Sequence, residues 1–447
     1  MAKNLLFEIG VEEIPARFMA GSIADLVKTA KKALTEARLD FEDVRGMGTP
    51  RRLTLFVDGL AERQADLKEE LKGPAKKAAF DADGNPTKAL QGFLRSKGLT
   101  EQDITVKEMK GGEYVFATKE EKGEDALSVL PELLVNTVLS LKFPKPMRWS
   151  DHELRFIRPI HWIVAMLGTE IVPVQIVDVK SGNVTRSHRF YGSGDIVIES
   201  PETYIDQLRD NYVMVDPEER RTVIKEQIAA IEKENNVVVE KDEELLDEVV
   251  FLLEYPTALM GSFEEKYLRI PKEAVITPMK EHQRYFPVMN EDGDLLPHFV
   301  TVRNGLPRNI EIVTAGNEKV LRARLADAEF FYDEDLKIDL GSNVERLKPI
   351  VFHITMGTLF KRWNAWWISP VTSPGNSAPM RKKPNAVLIS PKPTSFPIWF
   401  MNSRNFRGSW ANITAWLRAK TKKWVRASAK AICPVSPGMT FPKASSA

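Results

Sequence analysis

Residues 4–34 read NLLFEIGVEEIPARFMAGSIADLVKTAKKAL. The run 4–9 is apolar apart from Asn4 and Glu8, and it is short enough for a strand. Pro15 stands where a helix starts, its fixed φ suited to the first turn. Phe18, Ile23, Leu26, Val27, Ala30 and Leu34 then recur at helical spacing. Outward from this pair, strands and helices stay mixed. Residues 51–60 alternate, with Leu53, Leu55 and Val57 on one face, as a half-buried strand does. Residues 81–86 form a turn cluster before a short helix at 87–97. Residues 104–107 and 113–118 flank Gly111-Gly112 as a hairpin. An apolar helix is expected at 126–141 and a strand at 171–179. Charged helices follow at 217–236 and 243–253, the second with an acidic start that suits its dipole. Short strands at 285–289 and 299–303 flank the turn Asp292-Gly293. A long helix over 317–336 places Val320, Leu321, Leu325, Ala328 and Phe331 on one side. No regular βαβ alternation and no repeat is visible, so the fold class is α+β, multidomain.

The charge of this 447-residue chain is divided unevenly. Its 63 Lys+Arg and 62 Asp+Glu give +1 overall. The last acidic residue is Glu345, and residues 361–447 hold 15 Lys/Arg with no acid. Residues 1–360 therefore hold 48 basic and 62 acidic residues, a net of −14. Seven of the nine Trp also lie beyond residue 360. Two compositions meet there.

Several classes of function are excluded or unsupported. The single Cys, Cys433, rules out a disulfide framework or thiolate zinc site in the body. Residues 1–10 lack the apolar core of a signal peptide. The most apolar stretch, 130–141, is shorter than the ~20 residues of a membrane span, so a cytoplasmic protein without membrane contact is expected. No Walker loop and no Gly-x-Gly-x-x-Gly fingerprint occurs. Gly46-Met47-Gly48 and Gly192-Ser193-Gly194 read as turns, and Asp151-His152 as a capping or surface pair. No Ser/His/Asp triad is legible.

Four segments do stand out, where cations, aromatics and Pro or Gly interleave. The first holds Lys145, Arg148 and Trp149, with Arg155, Arg158, His161 and Trp162 after it. The second holds Arg186, His188 and Arg189, the third Lys280, His282, Arg284 and Tyr285, and the fourth Arg303. This mixture suits nucleic acid, with cations for phosphates and flat rings for unpaired bases. The bland alternative is packed surface arginines with buried stems. In an acidic body, a local basic surface would concentrate the attractive field.

The motifs in order are LLFEIGVEEIP (5–15), GTPRRL (48–53), GP (73–74), FPKPMRW (143–149) and FIRPIHW (156–162). Then come TRSHRF (185–190), EYP (254–256), KEHQRYF (280–286), RNG (303–305) and GNEKVLRARLADAEF (316–330). Over residues 1 to about 360 the chain resembles the beta subunit family of the bacterial heterotetrameric glycyl-tRNA synthetases, roughly its N-terminal half. The resemblance implies a non-catalytic, tRNA-recognising subunit of a glycine–tRNA ligase. The alpha subunit would complete an alpha2beta2 tetramer and carry the chemistry with ATP and Mg, and this chain would bind no cofactor itself. The substrate partner would be tRNA(Gly). The expected contacts are Arg51, Arg52, Lys145, Arg148, Arg155, Arg158, Arg186, His188, Arg189, Lys280, His282, Arg284 and Arg303, with Trp149 and Tyr285 as stacking rings. No catalytic or metal residue is expected. The domains read as 1–195 and 196–310, both α+β, then 311–360 as the start of a truncated helical, HD-like region.

The tail, 361–447, is expected to be non-native and unstructured. A disordered basic arm or an RNA-binding arm fits poorly with seven Trp. Starting each codon one base earlier turns residues 401–414 into YEFPELQGIMGEYY and 430–445 into EGYLPRFAGDDLPQSV. Near the junction, 362–365 becomes KVER. Acidic residues return, and both peptides look like later segments of the same family. A single-base deletion or two-base insertion near codons 360–362 accounts for this. Alternatives are a stand-alone nucleic-acid-binding protein that uses the tail, a module that only holds the alpha subunit, and an inactive product.

Overall fold

The structure is a computed structural model that describes residues 2–81, 85–100, 104–109, 112–337 and 345–361. All of the tail beyond Lys361 lies outside the described residues, and with it the expectation of a non-native segment. The chain divides into two units. The first comprises residues 1–230, 242–258 and 302–308; the second comprises 231–241, 259–301 and 309 onward.

A seven-stranded sheet centres the first unit. Its middle strand β1 (Ala2–Val11) is antiparallel to both β3 (Arg52–Ala61) and β7 (Ile160–Leu167). β2 (Asp43–Thr49) extends the β3 side, and β10 (Val179–Gly182) and β9 (Gln175–Ile176) extend the β7 side. β8 (Glu170–Ile171) pairs with the end of β7. Both faces of β1 are covered, which explains its nearly unbroken apolar run. Leu5, Phe7 and Ile9 pack under α1 (Ala16–Glu36) and α4 (Ala126–Ser140) in one core. Leu6 belongs to a second core with Trp162, Val164, Met166, Tyr204 and Leu208, the last two from α5 (Tyr204–Asp210). By the strand's alternation, Glu8 shares the face of Leu6.

A smaller sheet in this unit runs β4 (Leu67–Ala75), β6 (Gly112–Glu121), β5 (Ile104–Met109). α2 (Lys76–Ala79) and α3 (Lys88–Lys97) accompany it, and Leu90, Leu94, Val115 and Ala117 form its core. The expected hairpin is present, with Val106 opposite Val115. The ribbon β11 (Val184–Arg186) with β12 (Asp195–Val197) completes the β structure here. The continuous strand expected at 171–179 is not formed. Pro173 lacks a donor, and Val177 sits at φ 57, so three short strands replace it.

α6 (Pro217–Asn235) and α7 (Glu243–Val250) lie where charged helices were expected. The Asp242 carboxylate accepts the Leu245 N–H at 2.9 Å and caps α7.

A sheet that lies mostly in the second unit is ordered β13 (Val238–Val239), β15 (Phe286–Met289), β16 (Leu295–Asn304), β14 (Pro256–Ser262). α8 (Lys272–Thr277) runs into a π-helical turn, Pro278–Gln283, that ends at Arg284 in the left-handed region, φ 59. α9 (Ile310–Lys337) starts seven residues earlier than expected. Its buried face is Leu321, Leu325, Ala328 and Tyr332. Val320 is 44% exposed, and Phe331 is only half-buried, so the expected stripe is rotated by about one position.

Candidate nucleic-acid interface

Within the first unit, the candidate region is built over a buried ionic network. Glu8 is fully buried, and its carboxylate accepts hydrogen bonds from the Trp162 indole N–H, the Tyr204 hydroxyl and the Thr185 hydroxyl. Arg52, also fully buried, lies 3.8 Å from Glu8 and 3.2 Å from Glu254. It donates to the Arg186 carbonyl at 2.9 Å and to the Thr185 hydroxyl at 3.2 Å. Glu254 is 1% exposed and accepts from the Thr49 hydroxyl at 2.8 Å. Burial pushes the Glu254 carboxyl up, but Arg52 and Arg51 outweigh it and hold the group below the usual range. Burial likewise works against the Arg52 charge, and Glu254 and Glu8 outweigh it. Buried charges persist only when paired and hydrogen-bonded in this way.

A second buried arginine pins the surrounding backbone. Arg220 donates to the carbonyls of Val250 at 3.0 Å and Gly48 at 2.7 Å, and to that of Met214. Burial brings its pKa down to about 10. Asn304 joins a third side. Its amide oxygen accepts the Glu254 and Tyr255 N–H groups at 2.9 and 3.0 Å and lies 3.2 Å from His188 Nε2.

Over this network opens a cavity of about 400 Å³, lined by Glu12, Arg51, His161, Trp162, Arg186, His188 and Arg189 among others. β11 alternation explains part of it, since Thr185 points in to Glu8 and Arg186 points out. The Arg51, Arg52 and Arg186 guanidiniums stand 5.7, 5.7 and 5.3 Å from the Trp162 ring. Gly10 packs flat beneath that indole, and a Cβ there would lie 1.9 Å from ring atoms. Arg189 donates to Glu12 at 2.7 Å and approaches Glu13 at 3.5 Å, and this bond to Arg189 holds the Glu12 carboxyl below its ordinary range. Burial pulls the His188 imidazole down.

The segment 142–159 adjoins the cavity through Arg158, which donates to the Glu13 carbonyl at 2.9 Å. A bridge between Met147 and Phe156 closes it, with N–H···O distances of 2.8 and 3.1 Å. Lys145 and Arg155 are exposed and carry no ion pair among the described residues, whereas Arg148 pairs with Glu153 at 3.0 Å. Trp149 is half-buried, packed on the main core and edge-on to His152.

The structure thus sorts the sequence-derived candidates. Arg51, Arg186, His188 and Arg189 meet at one cavity, with Lys145, Arg148, Trp149, Arg155 and Arg158 on the segment beside it. Arg303 is half-buried and donates to the Tyr191 hydroxyl at 2.6 Å and the Arg308 carbonyl at 2.8 Å. Arg52, His188 at 2% exposure and Tyr285 at 3% are buried in this structure, and each bonds to an internal partner. Tyr285 stacks on Phe299 with 4.6 Å between ring centres, and burial pushes its hydroxyl up to about 12. Tyr285, Lys280, His282 and Arg284 belong to the second unit. There Lys280 pairs with Glu240 at 3.3 Å, Arg284 caps the π turn and His282 is exposed. Sequence reasoning did not single out Glu8, Glu254 or Phe190, which is 77% exposed and follows the cavity residue Arg189. Glu8 had a signal, a lone carboxylate in an apolar strand. Among the described residues, no three His, Cys, Asp or Glu side chains could hold a metal ion, and no helix is long and apolar enough to cross a membrane.

Residues 5–366 match the family model of a chain of an aminoacyl-tRNA synthetase. That family is the glycyl-tRNA synthetase beta subunit, and the protein belongs to it. The chain is 50% identical over 359 residues to the glycine–tRNA ligase beta subunit of Desulforamulus reducens, covering 80% of this chain and 52% of that relative. It is 49% identical over 362 residues to that of Moorella thermoacetica, covering 81% and 52%. With that of Bacillus subtilis it shares 52% over 357 residues, covering 80% and 52%. The chain spans about half the length of the curated relatives it matches. The family match stops at residue 366, close to the change in composition.

Proposed function

We propose that the protein is the tRNA-recognising, non-catalytic beta chain of a cytoplasmic glycine–tRNA ligase, acting with an alpha subunit in an alpha2beta2 assembly. The alpha chain would attach glycine to tRNA(Gly) with ATP and Mg, and this chain would position the RNA. The observation that carries the reading is the family match over residues 5–366. The exposed cations Lys145, Arg148, Arg155, Arg186 and Arg189 on the first unit support it. Phosphate contacts position an RNA and need cations at the surface, which excludes Arg52 from direct contact in this conformation.

The same reading takes residues 361–447 as translated one base out of phase, so that the body is followed by peptide never selected to pack. The end of the family match at residue 366 supports this. Sequencing the gene across codons 355–365 tests the phase; an intact frame leading straight into the present tail contradicts it. The functional test restores the frame and assays glycylation of tRNA(Gly) with the alpha subunit. Charging by the restored chain, and little or none by the present chain, is expected. Failure of the restored chain overturns the reading.

A second reading, a module that only holds the alpha subunit, is favoured by one observation. Arg148 and Arg189 are already paired with Glu153 and Glu12. It predicts that reversing the exposed charges leaves tRNA affinity unchanged while alpha binding persists. A stand-alone nucleic-acid-binding role for the tail predicts instead that deleting residues 361–447 removes most RNA affinity.

A further inference from the structure

We infer that the cavity of the first unit, together with Phe190, which follows the lining residue Arg189 in the chain, is a binding site for one unpaired nucleotide. The phosphate sits between Arg186 and Arg189, and the base stacks on Phe190. This deepens the proposed tRNA role and rests on it.

The turn that presents Phe190 is built to hold it out. Ser187 and His188 are buried on one side of it. The Gly192 N–H donates to the His188 carbonyl at 3.1 Å and closes the turn. A Cβ on Gly192 would lie 2.1 Å from Ser187, so the closure needs glycine. Tyr191 is tied by Arg303 at 2.6 Å and lies against His188, their ring centres 5.0 Å apart. Between these anchors Phe190 is 77% exposed, and the His188 ring lies 6.1 Å from its own, centre to centre. An exposed ring next in the chain to an exposed arginine is an arrangement that single-stranded nucleic acid uses, since every base offers a π face. A duplex hides its base faces, so the ring selects unpaired bases.

The cavity itself does not suit a base. Gly10 fills one face of Trp162, and three guanidiniums stand within 6 Å of its ring centre. What remains is a polar space of about 400 Å³ with Arg186 and Arg189 exposed along it. Asp195 stands 3.9 Å from Arg186, too far for a close bond, and leaves that guanidinium able to take a phosphate. Glu12 is the competitor, because it accepts from Arg189 at 2.7 Å and lies 3.3 Å from His161. Glu12 therefore holds the place of the phosphate when RNA is absent, and an arriving phosphate exchanges with it at Arg189.

The test titrates the full chain with an end-labelled single-stranded five-nucleotide RNA, with the same RNA annealed to its complement, and with whole tRNA, by fluorescence anisotropy. Phe190 is exposed, so its replacement leaves folding intact. Phe190→Ala is expected to weaken the single-stranded probe about tenfold and leave the duplex unchanged, with Phe190→Trp restoring affinity. Glu12→Gln is expected to tighten the single-stranded probe several-fold. Unchanged binding by Phe190→Ala, or no tightening by Glu12→Gln, overturns the site. If whole tRNA binds and the single-stranded probe does not, the site falls and the tRNA role stands. If neither binds, both fall.

Discussion

Arg52 is the residue at which the chemistry of the chain is most easily misread. In the sequence it is one of two adjacent arginines in GTPRRL, and its charge invites a phosphate. In the fold it is fully buried and satisfies Glu8 and Glu254. Nothing local could announce Glu254, about 200 positions away. Glu8 was legible as an anomaly in a strand, but not which cation would meet it. Removing one partner strands a buried charge, so Arg52→Met is expected to cost about 3–5 kcal/mol, measured by urea unfolding. His188 and Glu254 each contribute to the pH response. Burial depresses the His188 pKa below its ordinary 6.5, so the unfolded chain binds that proton first. The His188 contribution is then expected to be constant above pH 6.5 and to decline as pH falls through it. The depressed Glu254 carboxyl adds a second loss as pH falls below its ordinary 4.5. His188→Gln should remove the first phase and keep the second; urea midpoints across this range check both.

Among the elements, legibility followed length and periodicity. β1 and α1 were readable because a ten-residue buried strand and a 21-residue amphipathic helix carry strong patterns. The 171–179 segment was apolar enough for a strand, but Pro173 and the left-handed Val177 broke it. The π turn before Arg284 has no sequence period and could not be foreseen. α9 shows how a shift of one position matters. Leu325 is fully buried and Phe330 is 59% exposed on the same helix. Leu325→Ala is expected to destabilise the second unit by about 2–5 kcal/mol, whereas Phe330→Ala should cost less than about 1 kcal/mol. Thermal unfolding of the two variants separates them. The candidate site was half legible for the same reason. Its cations lie in short motifs, while their sorting into buried and exposed depends on strand alternation at β11 and on contacts between distant segments.

For the whole molecule, the formal charge of +1 conceals an acidic body and an acid-free tail. A body of net −14 repels RNA at long range, so binding must come from local cations. Lys145, Arg148 and Arg155 on the 142–159 segment and Arg186 and Arg189 along the cavity are exposed cations of the first unit. The central claim, that this surface recognises tRNA, is tested most directly by salt-dependent affinity. The chain and its Lys145→Glu/Arg148→Glu/Arg155→Glu variant are titrated with tRNA(Gly) over a range of salt concentrations. The account predicts a large loss of affinity, with the slope of log K against log salt reduced by about 1 for each phosphate contact removed. Equal affinity and equal slope for the two proteins would contradict it.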